Sequence, residues 1–119
     1  MGTYGRSGEL RTRTEEFAIR IIRLFRLLPR SPEAQVIGKQ LLRSATSVAA
    51  NYRAVQRARS KAEFISKIGI VVEESDESLF WLGLLERADI LSGERLHDLL
   101  REANELTAIF VASQRTARS

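Results

Sequence analysis

Residues 31–60 read SPEAQVIGKQLLRSATSVAANYRAVQRARS, and the fold follows from how this stretch divides on a helical wheel. At about 100° per residue, Ile37, Leu41, Ser44, Val48, Tyr52 and Val55 gather on one side, at the spacings of three and four that an amphipathic helix requires. Lys39, Arg43, Arg53 and Arg57 gather on the opposite side, with Thr46, Ala49, Ala50 and Ala54 between or beside them. One face is for burial. The other is a row of cations on a surface kept shallow by small side chains. Whether that row meets solvent, another subunit or a phosphate backbone separates the functional readings below.

The flanks of the stretch carry its boundaries. Pro29-Arg30-Ser31-Pro32 ends one helix and starts the next, because Leu28, lying before a proline, is pushed out of the α region. Ser31 can cap the new helix, Pro32 suits its first position, and Glu33 favours the positive end of its dipole. So short a loop makes the two helices antiparallel neighbours. The second helix is expected from Pro32 to about Arg59, roughly 40 Å at about 1.5 Å per residue. Ser60-Lys61-Ala62-Glu63 has the spacing of a capping box, which favours a tight turn there over one continuous helix across residues 32–91.

Upstream, residues 1–13 are rich in glycine and lack periodicity, so a frayed arm is expected over residues 1–12. Helix 1 then starts near Thr12 or Thr14 and buries Phe17, Ile21, Leu24, Phe25 and Leu28. Its outer arc holds Arg13, Arg20, Arg23, Arg26 and Arg30 together with the apolar Ile19 and Leu27. Downstream, helix 3 is expected from Lys61 to about Leu91 with two apolar stripes. Phe64, Ile68, Val71, Val72, Ser75, Leu79 and Leu82 form the core seam; Ile70, Trp81, Leu84, Leu85 and Ala88 fall on another side. A helix apolar on two sides is buried on two sides, which points to an oligomer. Ser92-Gly93 breaks the pattern, with Ser92 as the cap of helix 4. That helix presents Leu96, Leu99, Leu100, Ala103, Leu106 and Phe110 and fades near Ser113, leaving residues 114–119 as a loose tail. No strand-period alternation appears. The expected fold is all-α: an antiparallel up-down-up-down four-helix bundle over residues 13–113 that assembles as a homo-oligomer.

With 119 residues the chain is most simply one domain. Its 44% apolar and 29% charged residues fit a soluble globular protein. No cysteine is present, which excludes a disulfide scaffold and thiolate chemistry. The first fourteen residues have no apolar signal-peptide core, and no apolar run approaches the roughly 18 residues that span a bilayer. A cytoplasmic location without membrane contact is therefore expected. The net charge of +4 hides an asymmetry: from Arg11 to Lys61 twelve bases face three acids, whereas from Ala62 to Ser119 six bases face eleven acids. Such a division suits a polyanion partner, or basic and acidic faces that meet within an oligomer.

Catalytic and metal chemistry find little support. Glu94-Arg95-Leu96-His97 has the Glu-x-x-His spacing of di-iron bundles, but it occurs once and His97 is the only histidine. Glu73, Glu74, Asp76 and Glu77 point in several directions on a helix, with no nucleophilic or glycine-rich partner, so a solvated or intersubunit charged face is the better reading. No phosphate loop or nucleophile elbow is present. Neither enzyme activity nor a cofactor nor a metal is expected. The basic row remains, extended by Arg59 and Lys61 past the end of the stretch. Arginine outnumbers lysine in it, which favours pairing with carboxylate or phosphate. Tyr52, the only aromatic of helix 2, lies on the core face, so any nucleic-acid contact from the row goes to the backbone.

Gln40-Leu-Leu-Arg43-Ser-Ala45-Thr-Ser47-Val48-Ala-Ala50-Asn51, followed by Arg59-Ser60-Lys61-Ala62-Glu63-Phe64, resembles the bacterial four-helix-bundle proteins encoded in intervening sequences of 23S ribosomal RNA genes. The accessory variability proteins of diversity-generating retroelements look like relatives of the same family. The resemblance implies a homopentameric, barrel-like ring and a nucleic-acid-binding role. For the retroelement relatives it also implies binding of a reverse transcriptase and RNA. The chain departs from the family where Ala49 replaces a frequent proline and where Arg53-Ala54-Val55 replaces Ala-Glu-Gly. The leading expectation is a non-enzymatic, self-assembling bundle that binds RNA or DNA backbone through Lys39, Arg43, Arg53, Arg57, Arg59 and Lys61. Its oligomer contacts would come from Ile19, Leu27, Ile70, Trp81, Leu84, Leu85 and Ala88. The alternative is an oligomeric scaffold for another protein, whose arginines pair with the acidic helix 3 of a neighbouring subunit.

Overall fold

The chemistry at Pro29 and Pro32 acts as the dipeptides dictate. Ser31, in extended conformation (φ −61°, ψ 150°), accepts a hydrogen bond from the Ala34 amide at 3.4 Å, and the Gln35 side chain donates to the Pro29 carbonyl at 2.9 Å. At the next break Ser60 accepts from the Glu63 amide at 3.0 Å, so the chain turns rather than running on. The computed structural model describes residues 2–119, with side chains from Gly8 onward, and Met1 lies outside the described residues. The elements are α1 (Gly2–Leu27), α2 (Pro32–Gln56), α3 (Lys61–Arg87) and α4 (Glu94–Arg118), with no strand among the described residues. Helices of 25–27 residues give a particle of 45 × 23 × 20 Å.

α3 and α4 run in opposite senses, since Ser75 meets Thr107 while Glu86, further along α3, meets His97, earlier in α4. Ser44 meets Ser78 and Arg43 meets Glu77 between α2 and α3, and Arg13 reaches Glu102 and Glu105 between α1 and α4. α3 packs between α2 and α4, α1 packs on α2 and more lightly on α4, and α1 and α3 stand diagonally. The core contains Phe17, Ile21 and Leu24 from α1, Leu41, Val48 and Tyr52 from α2, Ile68, Val71, Leu82 and Leu85 from α3, and Leu96, Leu99, Leu106 and Phe110 from α4. Tyr52 and Phe110 meet across the diagonal with ring centroids 5.5 Å apart. Gly38 is required by a close approach, since a Cβ there would lie 2.5 Å from Leu28 Cδ1 and 3.0 Å from Phe25 Cδ1.

Both ends of the bundle correct the sequence reading. The stretch expected as an arm over residues 1–12 is helical from Gly2, and the expected tail over residues 114–119 is helical through Arg118. The cause is tertiary. Leu10 and Thr14 are buried, and Arg13 grips Glu102 through Nη2 at 2.6 Å and Nε at 3.1 Å, adding Glu105 at 3.2 Å. Hydrogen bonding to Glu102 is the main reason the Arg13 guanidinium is raised above its usual range. α2 stops at Gln56 and α3 at Arg87, short of Arg59 and Leu91; beyond α3, Asp89 adopts a left-handed conformation (φ 57°). Gly93 (φ 105°), not Ser92, occupies the cap position of α4 and makes no side-chain cap bond.

Because Leu10 and Arg13 anchor the start of α1 to the bundle, Arg13→Ala is expected to speed amide exchange in residues 2–12 and leave residues 17–24 protected. Hydrogen exchange by mass spectrometry checks this. Equal acceleration along the whole of α1 would mean the clamp serves global stability instead.

Candidate functional site

The site is built on the outer faces of α2 and α3. Buried Ser78 lies 3.0 Å from buried Ser44, and such small side chains let the two helices close with their outward residues in fixed register. One step outward, Arg43 Nη2 donates to Glu77 Oε1 at 3.2 Å and Nη1 lies 3.8 Å from Glu74 Oε2. Trp81 donates its indole N–H to the same Glu77 oxygen at 3.2 Å. Arg43 is thus neutralised within its own chain, although its side chain remains 59% exposed. It was expected as one of the free cations; its partners are the acids that the scaffold reading assigned to a neighbour's helix.

The rest of the predicted cation set is arranged differently. Lys39, Arg53, Arg57, Arg59 and Lys61 are exposed and make no ion pair among the described residues. The same holds for Arg23, Arg26 and Arg30 on the outer arc of α1. The acids therefore silence Arg13 and Arg43 and leave the α1–α2 side of the bundle cationic.

The predicted apolar contact set divides as well. Ile19, Leu27, Ile70 and Ala88 are exposed, and Trp81 and Leu84 are half-buried. Leu85 is a correction: at 0% exposure it belongs to the core of its own subunit and has no surface to offer. Its neighbours on the wheel lie one step further round, and α3 is rotated enough to bury Leu85 with Leu82. Sequence reading also missed Phe80, 57% exposed and edge-on to Trp81 with centroids 4.9 Å apart. The signal was present, since an aromatic opposite the core seam is costly in a monomer. Val36 is exposed too.

His97 pairs with Glu86 at 2.6 Å rather than with Glu94, and no group of three or more His, Asp or Glu residues placed for a metal occurs among the described residues. No helix among the described residues is long and apolar enough to cross a membrane.

Within the acidic run, the acidity of Glu74 is perturbed. Burial raises its pKa, the Arg43 charge and a hydrogen bond from Ser47 oppose that, and Glu77 adds to it. A carboxyl raised in the folded state stabilises the fold below its ordinary titration range. That contribution is lost as pH rises through the folded value. Glu74→Gln, which stays neutral, is therefore expected to gain stability over wild type as pH rises from 4 to 7. Urea unfolding at both pH values checks the sign, and a gap that narrows toward pH 7 contradicts it.

A family model described as "23S rRNA-intervening sequence protein" matches residues 8–112. Among solved structures, the chain is similar to a protein of unknown function from the S23 ribosomal protein family of Bacteroides thetaiotaomicron. The two share 31% sequence identity, with 92% of this chain and 97% of the other covered and a TM-score of 0.83. No curated protein matches.

Proposed function

The chain belongs to the 23S rRNA-intervening sequence protein family, and from that premise we propose that it is a non-enzymatic, ring-forming bundle that binds RNA or DNA through phosphate contacts. The observation that carries the proposal is the selective neutralisation of charge. Arg13 and Arg43 are held by carboxylates of their own chain, while Lys39, Arg53, Arg57, Arg59 and Lys61 are left exposed without an ion pair among the described residues. Unpaired arginines and lysines on one side of a basic domain are the electrostatic footprint of a polyanion partner. Their small neighbours Ala49, Ala50 and Ala54 leave the helix surface shallow enough for a backbone to lie against.

Assembly is the second part of the proposal. The exposed apolar residues of α1 (Ile19, Leu27) and those of α3 (Ile70, Phe80) sit on helices that stand diagonally, so they face away from one another. Two different patches on opposite sides suit a heterologous, head-to-tail contact, which forms a ring when its rotation closes. A pentamer is the ring we propose. In such a ring the cation row repeats in every subunit, and weak phosphate contacts add up.

Affinity for a mixed pool of RNA and DNA is expected to fall steeply with salt and to vary little with sequence. Removing Lys39, Arg53 and Arg57 together should flatten the log–log salt slope by about 0.7–0.9 for every phosphate no longer neutralised. Sedimentation of the same samples reads assembly, and Trp81→Ala with Phe80→Ser is expected to shift it toward monomer. An intact wild-type oligomer that binds nothing at low salt overturns the binding proposal. A wild-type chain that sediments as a monomer at micromolar concentration overturns the ring.

A further inference from the structure

At the α1–α2 end of the bundle lies a cavity of about 440 Å³ lined by Phe25, Arg26, Leu28, Arg30 and Gln35. We propose that this cavity is a nucleotide pocket, in which Arg26 and Arg30 hold a phosphate of a single strand and the attached base stacks on Phe25. It rests on the nucleic-acid reading above and goes beyond it by adding base contact, which the α2 row lacks.

Three observations converge. The first is uncompensated charge. Arg26 and Arg30 are both exposed, neither makes an ion pair among the described residues, and no acid lines the cavity. Arg26, in the last turn of α1, is explained by the negative end of that helix dipole. Arg30 is not. It lies just before the Ser31 cap, at the positive end of α2, where a cation is disfavoured, and Glu33 in the first turn makes no ion pair with it among the described residues.

The second observation is a fixed aromatic. The Phe25 ring presses on α2 at the one position without a side chain, with its Cδ1 and Cε1 atoms 3.0 and 3.1 Å from where a Gly38 Cβ would stand. The ring is only half-buried, so the packed edge holds it while the rest borders the cavity. An aromatic held in this way is a stacking surface that needs no reordering. The third is size and shape. The volume lies within the roughly 300–1,000 Å³ range of small-molecule sites, which suits one nucleotide and exceeds what a lone phosphate fills. Gln35 forms another wall and is itself fixed by donating to the Pro29 carbonyl.

The test uses the full-length chain and a fluorescent single-stranded oligonucleotide, an abasic strand of equal length, and inorganic polyphosphate. For wild type, the abasic strand is expected to bind about ten-fold more weakly than the oligonucleotide. Arg26→Ala/Arg30→Ala is expected to lower the salt slope by about 1.4, two contacts at about 0.7 each on a single strand, and to abolish the abasic difference. Phe25→Leu should weaken the oligonucleotide about ten-fold while leaving polyphosphate binding unchanged. The arginine pair is surface-exposed, so its arm stays readable even if Phe25→Leu fails to fold. A wild-type chain that binds no strand at all removes the nucleic-acid reading and the pocket with it. Binding that depends on Lys39, Arg53 and Arg57 but is indifferent to Arg26 and Arg30 overturns the pocket alone. Equal weakening of oligonucleotide and polyphosphate by Phe25→Leu also overturns it.

Discussion

The register of α3 is the constraint from which the rest of the structure follows. This helix lies between α2 and α4, and a hydroxyl contact marks each seam: Ser78 against Ser44 at 3.0 Å, and Ser75 against Thr107 at 2.6 Å. Hydroxyls are small enough to let helix axes approach, yet once buried they must find partners. Ser44 also bonds the Leu41 carbonyl, Ser78 lies 2.9 Å from the Glu74 carbonyl, and Thr107 bonds the Ala103 carbonyl. No buried side-chain polar atom is left without a partner among the described residues. A slip of one turn along either seam would separate these groups and leave buried oxygens unsatisfied, so the register is set by cost as much as by attraction.

Register then decides charge. With Ser44 opposite Ser78, Arg43 is carried to Glu77 and Glu74, and Trp81 is drawn onto the same carboxylate. Between α1 and α4 the helix pairing delivers Arg13 to Glu102 and Glu105. These contacts use acids from the second half of the chain to neutralise two bases of the first half. Arg23, Arg26, Arg53 and Arg57 gain no such partner among the described residues. The imbalance visible along the chain therefore becomes an imbalance between sides of the molecule, and the basic side is the one proposed to meet a polyanion.

Much of this was legible in the residues themselves. Of the expected seams, Leu41, Ser44, Val48, Tyr52 and Val55 are buried, and Phe17, Ile21, Leu24 and Leu28 likewise, while Ile37 and Phe25 are half-buried. Ser31 and Ser60 cap because a short hydroxyl before a helix satisfies an amide that nothing else can reach. Periodicity and capping are local, and local chemistry is what a sequence displays. Those signals gave four helices, their order and their inward faces.

What the tertiary structure alone decided concerns long-range partners. The start of α1 is tied down by long-range contacts, because Leu10 packs into the core and Arg13 pairs with Glu102 and Glu105, some ninety residues away along the chain. Leu85 reads as surface on a wheel with an assumed phase and is core once α3 has rotated into its seat; Phe80, which belongs to neither expected stripe, is turned out into solvent by the same rotation. Arg43 belonged to a row of equivalent cations until folding brought carboxylates to it and not to Arg53 or Arg57. The sequence by itself determined the main inward seams of α1, α2 and α4, since these depend on neighbours three and four positions away. Which charges remain free, and which aromatic stays in water, depend on how helices distant along the chain are docked, and only the assembled bundle contains that information.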